Sequence, residues 1–345
     1  MVSRLAGRER NLQMKKVLIL VLAAAAMGAA PVYKVVGNIR IGGVNRTDYT
    51  YCDSANHRLY VAHGTQTEVI DTATGKLIGA IPDTQGVHGI AIASDLGKGF
   101  TSNGATNNVT VFDVATLKVT GKIGTGKNPD SIVYEPVTHR VFTFNGKSKD
   151  ATVFDAKTGE IISASVALGG KPEFCQVDGK GHVYVNMEDK NEIVEINAKD
   201  ATVTRRYSIA PCDSPSGLAL DAKKNVLFSV CDNKVMIVSD PASGKVLATP
   251  AIGSGPDGVA FDDGYAFSAN REGNITMVGE SAPGKYDVVA TIPTQLGART
   301  IGADQKAHKL YLPTAEYGAP AASKDGKAGR PQAVPDSFMI LVVGR

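Results

Sequence analysis

No stretch of this 345-residue chain carries a long apolar stripe of helical period, and the common short catalytic signatures are missing. H-E-x-x-H, C-x-x-C, G-x-S-x-G and the EF-hand loop spacing do not occur, which removes the usual sequence marks of zincins, dithiol redox proteins, nucleophile elbows and EF-hands. Without C-x-x-C-H, a standard covalent haem is excluded. Gly121 to Lys127 does match G-x-x-x-x-G-K, but Asn128 replaces the Ser/Thr and Pro129 follows, so no helix receives a phosphate.

A surplus of one charge is missing too. Of 37 basic and 34 acidic residues, five basic (Arg4, Arg8, Arg10, Lys15, Lys16) and one acidic (Glu9) fall in residues 1–30, leaving 32 against 33. That balance gives no electrostatic footprint for nucleic acid. The one long apolar run, VLILVLAAAAMGAA, follows Met14-Lys15-Lys16 and is too short for a confident membrane span. It reads as a signal peptide cleaved near Gly28 to Ala30, against the alternative of a retained anchor. Residues 1–13 read as an upstream start or a long n-region. The expectation is a periplasmic or secreted protein beginning near Pro31.

What the chain does contain is a repeat. The acidic position closing the third apolar run of each unit falls at Asp71, Asp113, Asp155, Asn197 and Ser239, a period of 42, with Gly279 following 40 residues on. A second register, Asp48, His88, Asp130, Glu173, Ser216, Asp257 and Arg299, precedes a short apolar run in each unit at spacings of 40 to 43. Each unit holds four short runs rich in Val, Ile, Phe, Tyr and Thr between Gly, Pro, Asn and Asp turns, which is a four-stranded antiparallel blade. Such a blade cannot bury both faces alone, so seven units predict an all-β, seven-bladed β-propeller as a single domain over residues 31–345. The last unit ends at its third strand, FMILVV, and VVGNIRIGG (Val35 to Gly43) reads as the strand that completes it, leaving no exposed edge.

Several segments carry a family pattern: FTSN (Phe100 to Asn103), FSAN (Phe267 to Asn270), NVTVFD (Asn108 to Asp113) and GSGPDGVAFD (Gly253 to Asp262). With the T-G-K turns they resemble the YVTN-repeat bacterial propellers, including the periplasmic YncE-like proteins, over essentially all of the mature chain, although no literal YVTN occurs. The resemblance implies the fold strongly and the function weakly, because related propellers include binding scaffolds, lyases and lactonases. It also raises single-stranded DNA as a partner, which the near-neutral composition does not independently support.

In a propeller, the loop entering the innermost strand and the turn between the second and third strands emerge on one face around the channel. The pairs are Asp48 with His63, His88 with Asn103, Asp130 with Asn145, Ser216 with Cys231 and Arg299 with Thr314; Glu173 goes with Asn186-Met187-Glu188, and Asp257 with Asn270. This predicts an acidic, histidine-containing channel mouth. Asp48, Asp130, Glu173 and Asp257, with His63 and His88, are candidate ligands for a divalent ion, a transition metal if imidazole takes part and calcium if oxygen alone does. The competing reading has these side chains capping strand ends and loop amides.

His57, His139, His182 and His308 recur at the turn before the second strand, on the opposite face, and read as turn residues. Cys212 and Cys231 sit in loops on one face, where a disulfide is possible and free thiols are the alternative; Cys52 and Cys175 read as small buried hydrophobes. The insertion from Ala315 to Ser337 predicts a mobile loop, either a lid bringing Glu316, Tyr317, Lys324, Lys327 or Arg330 over the mouth or a tolerated surface insertion.

Two functions follow as expectations. One is a monomeric binding propeller taking an unidentified small molecule, peptide or protein at its mouth. The other is a metal-dependent enzyme, lactonase- or lyase-like, with His63 or His88 as ligand or general base.

Overall fold

A computed structural model describes residues 30–319 and 331–345. The unit Tyr33–Arg345 contains seven sheets of four antiparallel strands each. Blades 1 to 6 take residues 47–81, 87–124, 129–167, 172–208, 215–248 and 256–293 in chain order. Blade 7 is composite: Gly302–Asp304, Lys309–Thr314 and Met339–Gly344 are followed in the sheet by the N-terminal strand Lys34–Arg40. Lys34 pairs with Gly344 and Arg40 with Met339, so the first strand closes the last blade.

The burial of each strand follows from its place in the stack. Second and third strands are covered on both faces by neighbouring blades, and Arg58–His63, Arg140–Asn145 and Val226–Cys231 are accordingly buried nearly throughout. Such strands read as continuous apolar runs rather than alternating ones. Aromatic pairs knit consecutive blades together: Tyr60 with Phe112 at 5.9 Å, Phe100 with Phe154 at 5.7 Å, and Phe228 with Phe261 at 5.5 Å between ring centroids.

Two expectations need correction. The outermost strands, such as Lys34–Arg40 and Ile161–Ala167, are largely exposed, so every blade retains an open edge despite the ring closure. Shortness is what limits those edges, since most outer strands have four to seven residues. In the fifth unit the turn acid is Asp240, not Ser239: Ala242 N–H donates to Asp240 Oδ1 at 2.8 Å, and Ser239 pairs with Leu227 inside the sheet. The 42-residue period therefore slips by one there.

Among the described residues no helix is long and apolar enough to cross a membrane. Residues 1–29, with most of the expected signal peptide, lie outside the described residues.

Candidate channel-mouth site

The mouth is built by a repeated irregularity at the start of each innermost strand. Ladder register skips between Thr47 and Thr50, Val87 and Ile90, Pro129 and Ile132, Pro172 and Cys175, Pro215 and Leu218, and Pro256 and Gly258. Asp48, His88, Asp130, Glu173, Ser216 and Asp257 all fall inside these bulges, so they have no strand partner and their side chains are re-aimed. The preceding blade then fixes the backbone. Thr300 Oγ1 donates to the Asp48 carbonyl at 2.8 Å, Ser102 to that of Asp130, Ser131 to that of Glu173, and Gly258 N–H to that of Arg299 at 2.8 Å. Gly217 and Gly258 permit this approach, since a Cβ on either would come within 2.8 and 2.9 Å of the next blade's backbone.

A chain of charges runs round most of the ring. His88 Nδ1 lies 2.5 Å from Asp48 Oδ2 and 3.5 Å from Asp130 Oδ1. Arg299 reaches Asp48 at 4.0 Å and contacts Asp257. Lys171 Nζ lies 3.3 Å from Glu173 Oε2 and contacts Glu188, while Tyr49 OH is 3.5 Å from Glu173 Oε1. Only Ser216 of blade 5 interrupts the charged ring.

Burial sets the protonation of these groups. Asp130 is pushed up to about 6, first by loss of water, with His88 opposing and Asp48 reinforcing. Glu173 is pushed up to about 8 by burial and then by the Asp130 charge, against Lys171. Burial pulls His88 down, but its hydrogen bond to Asp48 and the charges of Asp130 and Asp48 outweigh it, leaving the imidazole above its ordinary range. Lys171 is likewise held up by Glu173 and Glu188 against the cost of burial. One ligand atom each from Asp48, His88 and Asp130 lie within 4.8 Å of one another, a nitrogen and two oxygens that suit a borderline divalent ion.

Beside this cluster opens a cleft of about 720 Å³. Glu173, Glu188 and Asp232 line it from blades 4 and 5, and Asp257, Arg271, Arg299 and Tyr317 from blades 6 and 7. The Cys212–Cys231 disulfide, with Cα atoms 5.5 Å apart, ties the two loops that carry Ser214 and Asp232. Asp232 N–H adds a bond to the Asp213 carbonyl at 2.9 Å.

The structure separates the other expected mouth residues. His63 is 4% exposed; its Nδ1 lies 2.8 Å from Glu68 Oε1, its Nε2 2.5 Å from the Val44 carbonyl, and its ring stacks on Phe338 at 4.2 Å. Both nitrogens are occupied, so it does not join His88 as a metal ligand or base. Glu68 directly before the Val69-Ile70 pair was the available sign, because a carboxylate buried in such a strand needs a partner. Asn103, Asn145 and Asn270 are fully buried, turned into the third strand of their own blade to donate to Thr110, Thr152 and Thr276 at 2.9, 3.1 and 2.9 Å. They brace the mouth without facing it.

Glu316 and Tyr317 belong to a short stem, where Val334 N–H donates to the Glu316 carbonyl at 2.7 Å and Gly318 N–H to that of Gln332 at 2.9 Å. Lys324, Lys327 and Arg330 lie outside the described residues. Cys175 is buried and Cys52 partly so, both free, with thiols pushed up to about 12 by burial. Sequence reasoning missed Lys171, Tyr49, Asp232 and Arg271; Lys171 was visible two residues before Glu173, a position that is basic elsewhere only at Arg46 of the first unit.

Solved structures resemble this architecture. One described as the structure of U3-55K superimposes with a TM-score of 0.72 at 9% identity, covering 88% of this chain and 97% of that one. Another, of RRP9 WD40 repeats, gives 0.72 at 9% identity over 91% and 98%. At that identity the likeness concerns the fold alone. No curated protein matches the sequence. The sequence model of the YncE-like beta-propellers matches residues 68–314, which spans blades 1 to 7, and with the closed ring of seven four-stranded blades this chain belongs to the YncE-like β-propeller family.

Proposed function

We propose that this is an exported, monomeric YncE-like propeller that binds a ligand or partner at its channel mouth without bond-making chemistry. The observation that carries the reading is the bulge ring: six innermost strands give up regular pairing at the same place and turn polar side chains toward one opening beside a 720 Å³ cleft. Burying Asp130 and Glu173 to 13% and 12% side-chain exposure is costly for folding, which favours a role in recognition. The Cys212–Cys231 bond and the signal-peptide-like N-terminus support export to an oxidising compartment. A thermal-shift screen of small polar ligands and divalent ions, run on the mature protein and on an Asp48→Asn/His88→Gln/Glu173→Gln variant, tests it. Ligands whose shift disappears in the variant support the mouth; shifts that persist there overturn the assignment.

A second reading, a metal-dependent enzyme, is favoured by the Asp48, His88 and Asp130 donors within 4.8 Å. A divalent ion held there would supply Lewis-acid polarisation of a carbonyl. Elemental analysis of untagged protein prepared without chelators decides it. About one equivalent lost in Asp130→Asn supports the centre, and a metal-free preparation that also fails to take up added zinc, manganese or calcium removes it.

A further inference from the structure

The cleft beside Ser216 is polarised across its width. Its blade 4 and 5 wall carries Glu173, Glu188 and Asp232, and its blade 6 and 7 wall carries Arg271 and Arg299, with the Tyr317 ring beside them. Much of this charge is already matched: Lys171 serves Glu188 and Glu173, and Arg299 serves Asp257. Two groups on opposite walls are unmatched. Neither Asp232 nor the Arg271 guanidinium makes an ion pair or side-chain hydrogen bond among the described residues. On the acidic wall, Glu173 Oε2 is buried and faces the Lys171 ammonium at 3.3 Å, which leaves Asp232 as the carboxylate without a cation.

Arg271 is also placed rather than free. Its side chain lies over Gly255, where an added Cβ would come within 2.9 Å of Arg271 Cβ, and its carbonyl accepts from Gly297 N–H at 2.8 Å. Gly297 in turn holds the Tyr317 ring, which a Cβ there would meet at 2.5 Å. The Arg271 guanidinium and the Tyr317 ring thus line the same wall of the cleft, across from the carboxyl groups of Glu173, Glu188 and Asp232. A singly charged ligand would satisfy one wall and leave the other, whereas a dipolar ligand satisfies both.

Resting on the mouth-binding reading above, we propose that this cleft receives a short zwitterionic peptide, its terminal ammonium against Asp232, its terminal carboxylate on Arg271, and an apolar side chain on Tyr317. The cleft volume falls within the range of about 300–1,000 Å³ for drug-sized ligands, which a dipeptide or tripeptide fits.

The test is calorimetric titration of the mature protein with glycyl-phenylalanine, its N-acetyl derivative and its C-terminal amide, repeated on Arg271→Ala and Asp232→Asn. The free dipeptide is expected to bind at least tenfold more tightly than either blocked form. Arg271→Ala should erase the preference for acid over amide while keeping that for the free amine, and Asp232→Asn should weaken the latter. Equal binding of blocked and free peptides, or no binding of the free dipeptide at millimolar concentration, overturns the proposal. If divalent ions or other ligands still give mouth-dependent thermal shifts while every peptide is silent, only the ligand class falls; silence of both removes the mouth reading as well.

Discussion

The two faces of this propeller set carboxylates at opposite ends of the same innermost strands, Asp48 and Asp53 or Asp130 and Glu135, with opposite consequences. On the face away from the mouth, five of the seven innermost strands run into a turn whose amides converge on an acid. Asp53, Glu135, Asp178, Asp221 and Asp304 each accept two backbone N–H groups at 2.7 to 3.2 Å. On the same face, the second ring of turn acids includes Asp71 and Asp113, which the amides and hydroxyls of Thr74 and Thr116 hold below the ordinary carboxylate range. At the mouth the bulges supply no amides, so burial, reinforced by neighbouring carboxylates, pushes Asp130 and Glu173 up instead. A repeat thus generates a low-lying turn acid where amides close on it and, at Asp130 and Glu173, a raised and buried one where the strand is interrupted.

The sharpest way to break this comparison uses histidines. His63 enters the sequence on the mouth side but is packed between Glu68 and Phe338. His63→Ala leaves a buried carboxylate short of its partner and should cost roughly 3 kcal/mol in urea unfolding. His88→Ala, where the carboxylates of Asp48 and Asp130 keep more solvent contact than Glu68 does, should cost less than that and affect binding at the mouth. Equal losses would mean that the mouth is as structural as the core.

Next in size is a pH effect of definite sign. Glu173 titrates near 4.5 unfolded and is pushed up to about 8 when folded, so between those values the folded state holds a proton that the unfolded state has released. Its contribution to stability is therefore lost as pH rises from about 4.5 to 8. Asp130, pushed up to about 6, and His88, held above its ordinary range, act in the same direction. Glu173→Gln should flatten the decline in melting temperature by several degrees across that window. Asp113→Asn should instead flatten a loss on the acid side, because the folded state holds that carboxyl low.

Architecture was legible in the sequence because the period, the turn residues and the unfinished last unit are all local signals, and the ring follows once seven units must bury two faces each. Mouth positions were legible for a related reason: a polar residue precedes the same apolar run in every unit. Which of them would meet was not. Asp48, His88 and Asp130 converge because three consecutive bulges turn them inward, and a bulge is a register event between strands rather than a residue pattern. Asn103, Asn145 and Asn270 misled because an Asn at a strand end can face the channel or reach back to its own sheet, and the Thr six or seven residues later decides which.

The turn acids offer a smaller effect. Asp221 is buried and accepts from Lys223 and Lys224 N–H at 3.0 and 3.1 Å. Asp221→Ala strands two amides in a tight turn and should cost about 1–2 kcal/mol while leaving mouth binding unchanged. A loss of ligand binding without a loss of stability would show that the two faces are coupled.

The smallest expected change is at His57, an exposed turn residue in the left-handed region at φ 53°, where His139 and His308 sit at 53° and 51°. The left-handed conformation costs an ordinary side chain about 1–2 kcal/mol, whereas glycine adopts it freely but gives up more chain entropy on folding. These terms nearly cancel, so His57→Gly should shift stability by no more than about 0.5 kcal/mol, toward stabilisation, with no effect on ligand binding. A large loss in either would mean that the repeated histidines do more than shape turns, and the two faces would then differ less than their hydrogen bonds imply.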